Sequence, residues 1–75
     1  LVPKIETVKG VENMMAICDA GNTDMVMLDG EDLYVNVNHD SEKYNQYTKL
    51  VMSKGKLNHI KVFKVQGIIF DEFRP

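Results

Sequence analysis

This chain has very little of what marks a secreted, membrane or nucleic-acid-binding protein. Cys18 is its single cysteine, so no internal disulfide can form, and a reducing compartment such as the cytoplasm is the expectation. No apolar run approaches the ~18 residues that a membrane span needs. Nine basic residues stand against eleven acidic ones, a net charge of −2, so composition offers no reason to expect a nucleic acid. Lys54, Lys56, Lys61 and Lys64 do thicken the last third, but an exposed amphipathic edge accounts for them more simply than a phosphate track. Internal repeats and low-complexity segments are absent. So is an initial methionine, and the chain reads as a processed or excised piece of a longer polypeptide.

What is present suits a single α/β domain over residues 1–75, or part of one. Hydrophobic residues make up 44% and charged residues 27%, ordinary values for a soluble globular chain. A domain this short buries only ~60% of its unfolded surface, so it is marginal unless it associates. Residues 1–6 read as a short strand, with Pro3 tolerable near a strand start or at an edge. Residues 7–10 read as a turn. Val11, Met14, Met15 and Cys18 follow the i, i+3, i+4, i+7 spacing of an amphipathic helix, closed by Gly21 and Asn22; Cys18 belongs to its buried side. Residues 25–28 form a continuous apolar run, as in a buried parallel strand. Residues 30–38 read as a long loop. Asp40 or Ser41 opens a second helix with Tyr44, Tyr47, Leu50 and Val51 on its apolar face, and Gly55 closes it. Residues 60–63 and 67–70 are both strand-like: either they form a hairpin, or only the second is a true strand. The order β-α-β-α-β argues for a parallel sheet with both helices on one face and the other face bare. Bare sheet surface favours self-association or docking onto further elements.

Two acids frame the first strand–helix–strand unit. Glu6 follows the first strand and Asp32 follows the second, 32 − 6 = 26 residues later, about the length of one crossover unit of ~30 residues. Both therefore belong at the carboxyl edge of the sheet, where α/β proteins place their chemistry. Alternation puts Lys4 and Glu6 on one face and Ile5 on the other, the helix-covered one. Two charges on the inward face of a short strand are costly unless they pair or bind something. Two carboxylates with open positions around them suit Mg²⁺, and an ion there would polarise a carbonyl. The plainer alternative is a solvated sheet rim with Asp32 capping a turn. His39, His59, Tyr44 and Tyr47 read as exposed-loop or packing residues rather than ligands. Gly30 leaves room for a backbone contact with a ligand, although a turn alone also calls for glycine.

Pro3-Lys4-Ile5-Glu6-Thr7, Gly10-Val11-Glu12-Asn13, Asp24-Met25-Val26-Met27-Leu28 and Gly30-Glu31-Asp32-Leu33, in this order, resemble one segment of the phosphoenolpyruvate/pyruvate (β/α)₈ barrels. The nearest resemblance is to the group holding the citrate lyase β-subunit and the class II pyruvate aldolases; it covers residues 3–33. It implies a β-α-β-α-β portion of such a barrel, strands six to eight. It also implies a metal-dependent carbon–carbon lyase or aldolase acting on an oxo-acid or acyl-type substrate. Under it, Glu6 and Asp32 would be ligands of Mg²⁺ or Mn²⁺; Lys4 is the candidate catalytic residue, and Gly30 and Glu31 are the candidates for substrate binding. Pyruvate kinase resembles the same stretch, where Lys4 would match a lysine of phosphoryl transfer; the extra residue between Gly30 and Asp32 sides with the lyases. Barrel enzymes of this type draw an arginine and anion-binding loops from earlier strands, and Arg74, the sole arginine, matches none of their motifs. The 75-residue chain alone is therefore expected to lack turnover. The alternative outside enzymes is a binding or assembly module, a homo-oligomer or one that docks onto the rest of a barrel.

Overall fold

In the computed structural model, residues 2–66 and 69–72 are described. Leu1, Gly67, Ile68, Phe73 and Arg74, on which some expectations fell, lie outside them. The elements run β1 (Lys4–Ile5), α1 (Val8–Glu12), α2 (Met14–Gly21), β2 (Met25–Asp29), α3 (Gly30–Asn36), α4 (Ser41–Leu57), β3 (Lys61–Gln66) and β4 (Ile69–Glu72). They form a four-stranded sheet in the order β1-β2-β3-β4. The first two pairings are parallel and β3 pairs antiparallel with β4. This is a mixed α/β fold with a three-strand parallel sheet, as expected, and the hairpin alternative for the last two strands is the one adopted.

Several boundaries differ from expectation, each for a local reason. The first strand is only two residues long, and Pro3 precedes it on the edge of the sheet, where its missing N–H costs no ladder bond; its carbonyl accepts from Met27 N at 2.9 Å. Residues 7–10 are not a free turn. Thr7 is an N-cap whose hydroxyl accepts from Gly10 N at 2.9 Å, so the helix starts at Val8. It breaks once at Asn13 and resumes as α2, ending on Asn22 at φ 48°. Residues 30–38 are not a loop either. Asp29 caps α3 by accepting from Asp32 N at 3.2 Å, and Gly30, Leu33 and Val37 are buried at i, i+3 and i+7. Helix α4 runs past Gly55, because Gly55 is a close-contact position and not a terminator. A Cβ there would lie 2.8 Å from Ile60 O and 2.9 Å from Val62 Cγ2. Its buried stripe is Thr48, Val51 and Gly55, with Tyr44 and Tyr47 packed beside it, while Leu50 is exposed. β3 extends to Gln66, three residues past the strand-like stretch 60–63.

The core lies on one face of the sheet. Ile5, Val26, Leu28 and Val62 meet Val11, Met14, Cys18, Leu33 and Val51 from the helices, each such burial stabilising by roughly 1.5–3 kcal/mol for a large aliphatic side chain. The register aligns Lys4 with Met27 and Phe63, and Asp29 with Val65. Those residues therefore project from the opposite face, where Met25, Met27, Phe63 and Val65 are partly buried. No helix among the described residues is long and apolar enough to cross a membrane.

Candidate functional site

Three short elements bring three acids together at the carboxyl edge of β1 and β2. Glu6 follows Ile5 at the end of β1. Asp29 is both the last residue of β2 and the N-cap of α3, and Asp32 sits in the first turn of that helix. One carboxylate oxygen from each lies within 4.8 Å of the others. Glu6 and Asp29 are half-buried and Asp32 is exposed. The structure thus joins the two acids singled out in the sequence and adds a third, Asp29. The available signal for Asp29 was its place three residues before Asp32 at the close of an apolar strand, which makes it a helix cap aimed back at the same edge.

Lys4 stands on the open face, with Nζ 3.5 Å from Asp29 Oδ2 and its side chain about half exposed. Asp29 therefore offsets part of the cost of placing Lys4 on that face. Solvent screening keeps such an exposed pair weak. Asp29 has three calls on one carboxylate: the Lys4 ammonium, the Asp32 N–H, and any cation held with Glu6 and Asp32. As a donor set, three hard oxygens open to water on one side suit Mg²⁺ or Mn²⁺, which keep several waters. Oxygens on a Mg²⁺ at ~2.0–2.1 Å need to close up from the separations seen here.

Gly30 and Glu31 do not join this cluster. Gly30 is buried, and the room beside it is already filled: a Cβ would meet Tyr44 Oη at 2.7 Å and Lys64 Cε at 3.4 Å. Gly30 lines, with the exposed Glu31, the cavity of about 550 Å³ between α3, α4 and β3. At ~100° per residue, Asp32 stands about 150° round α3 from the mean direction of Gly30, Glu31 and Tyr34, so the acid cluster and the cavity occupy different sides of one helix. His39 is exposed at φ 60°, its ring edge-on to Tyr34 at 4.9 Å. His59 adopts φ 57° at the turn between α4 and β3. Neither histidine enters the acid cluster.

No family profile, no curated protein and no solved structure matches this chain.

Proposed function

We propose that this chain is a carboxyl-terminal portion of a cytoplasmic (β/α)₈-type barrel whose parent is a metal-dependent carbon–carbon lyase or aldolase acting on oxo-acid or acyl-type substrates. One observation carries the reading: Glu6 and Asp32, 26 residues apart (32 − 6), converge with Asp29 to within 4.8 Å at the carboxyl edge of parallel strands. Glu6 and Asp32 would hold Mg²⁺ or Mn²⁺, with Asp29 as a third oxygen. The bound ion would polarise the substrate carbonyl and stabilise an enolate. Lys4, held beside Asp29, offsets part of the negative charge and keeps an ammonium proton at the rim, facing the side from which a substrate anion would arrive. Pyruvate kinase-like phosphotransfer remains the weaker enzymatic reading, since nothing in the acid cluster favours it.

The test is a Mg²⁺ and Mn²⁺ titration followed by backbone amide NMR, on the wild type and on Glu6→Gln and Asp32→Asn. Saturable Mg²⁺ shifts at residues 5–7 and 29–33, and Mn²⁺ broadening at the same amides, both lost in each variant, are the expected result. Absence of shifts at millimolar metal removes the metal centre. The chain alone is expected to show no aldolase turnover, and metal-dependent cleavage of an oxo-acid by it would refute that.

Among the described residues no helix packs on the sheet face opposite the core, and this favours a second, non-catalytic reading. Met25, Met27, Phe63 and Val65 share that face, partly buried, with Lys61 at the amino edge and Asp29 at the carboxyl edge. Two copies laid face to face with strands antiparallel would set the lysine edge of one against the acidic edge of the other, an isologous pairing.

A further inference from the structure

Three carboxylates drawn to within 4.8 Å of one another repel, so the elements that carry them must be tied together by something else. Glu6 rides on the junction of β1 with α1, whereas Asp29 and Asp32 belong to β2 and α3. β1 makes only two ladder pairings, Lys4 with Met27 and Ile5 with Leu28, and both precede Glu6. Beyond them, the start of α1 leaves backbone N–H groups with no partner inside the helix. Thr7 Oγ1 accepts from Gly10 N, and Asn36 Oδ1 accepts from Val8 N, each at 2.9 Å. The second acceptor comes from 28 residues further along the chain, at the last residue of α3. Asp32 and Asn36 are four residues apart (36 − 32) on that helix, so they share one face about one turn apart. This face of α3 therefore meets the β1–α1 junction at two points: Asp32 comes to Glu6, and Asn36 comes to Val8, two residues (8 − 6) beyond Glu6. Asn36 is neutral, and it makes the tie without adding a fourth negative charge.

From this arrangement we infer that Asn36 is a positioning residue of the metal site: by holding the Val8 N–H, its amide oxygen sets how close Glu6 stands to Asp32. The inference deepens the metal reading above and rests on it. Without the tie the acids spread under their own repulsion, and a divalent ion must first draw them together. The experiment measures Mn²⁺ dissociation constants from the free-ion EPR signal, together with amide hydrogen exchange. It uses the whole chain as wild type, Asn36→Ala, Asn36→Asp and Lys54→Met. Asn36 is exposed and alanine is the better helix former, so Asn36→Ala keeps α3. It is expected to weaken Mn²⁺ binding about three- to tenfold, the equivalent of one hydrogen bond, and to speed exchange at the Val8 amide. Asn36→Asp keeps an oxygen acceptor. It is expected to restore slow exchange at Val8 and binding at least as tight as in the wild type. Lys54→Met loosens the other end of α1 and is the structural control, with Mn²⁺ affinity unchanged. Asn36→Ala binding Mn²⁺ as tightly as the wild type overturns the inference and leaves the metal reading standing. So does an equal loss of affinity in Lys54→Met, unchanged Val8 exchange in Asn36→Ala, or an Asn36→Asp chain that restores neither property. A wild type that shows no saturable Mn²⁺ binding overturns the inference and the metal reading together.

Discussion

Single residues hold this fold by what they lack as much as by what they contact. Gly55 lies inside α4, where alanine ordinarily stabilises a helix by ~1 kcal/mol. Here the added methyl meets the Ile60 carbonyl at 2.8 Å, and a backbone oxygen cannot swing aside. Gly55→Ala is therefore expected to reverse the usual sign and destabilise by about 1–3 kcal/mol, the range for overpacking; urea unfolding with an unchanged m-value would show it. Cys18 supplies a pH signature. Burial, with a smaller contribution from Asp19, pushes its thiol pKa above the ordinary value. The folded state thus prefers the neutral thiol. Its contribution to stability is fully present below the unfolded thiol's pKa and is lost as alkaline pH rises through the folded one. Stability measured from neutral to alkaline pH is expected to fall more steeply for the wild type than for Cys18→Ala, and equal slopes would remove the effect. That Cys18 is buried was legible in the sequence from its place in a helical spacing. The contact at Gly55 was not, because a glycine that terminates a helix and one that admits a neighbouring carbonyl are the same letter.

At the scale of elements, the two crossover segments are tied to each other by hydrogen bonds between distant residues. Lys54 of α4 donates from Nζ to the carbonyl of Val11 at 2.8 Å and to that of Glu12 at 3.4 Å, satisfying acceptors at the end of α1. At the other end of α1, Val8 N donates to Asn36 Oδ1 of α3 at 2.9 Å. Lys54→Met keeps the aliphatic stem and deletes the donors, and is expected to cost about 1–2 kcal/mol; a loss no larger than that of Lys56→Met, a change at an exposed neighbour, would refute it. Helices α2 and α4 and the first two parallel strands were readable from spacing and apolar runs, while β3 was one of two open alternatives. Helices α1 and α3 were missed because each is short and opens on a capping side chain, Thr7 or Asp29, within a stretch whose polar residues resemble a loop. In both, the cap and the buried apolar positions were present in the sequence. Glu6 and Asp32 were legible for the reason that matters most here: one crossover returns the chain to the same edge whatever the details of its helix. Asp29 was hidden because its role as cap depends on α3.

For the whole molecule, the decisive asymmetry is between the face of the sheet that carries the helices and the one that carries Met25, Met27, Phe63 and Val65. If two copies cover that surface together, Phe63→Lys is expected to convert a concentration-dependent dimer into a monomer with its fold intact, read by light scattering after size exclusion. A wild type that is monomeric at every concentration refutes the pairing.

The parallel ladder also dictates how the chain must assemble itself. Lys4 pairs with Met27, a separation of 27 − 4 = 23 residues, and Met25 pairs with Lys61, a separation of 61 − 25 = 36. By contrast, Gln66 pairs with Ile69 only 69 − 66 = 3 residues away. Closing the two long connections costs chain entropy before any strand bond repays it. The antiparallel hairpin and the helices carry no such debt and form on microsecond timescales or faster. Both pairings of strand β2 are therefore expected to form after the local hairpin and helices, and the acids at its carboxyl end to come together with them.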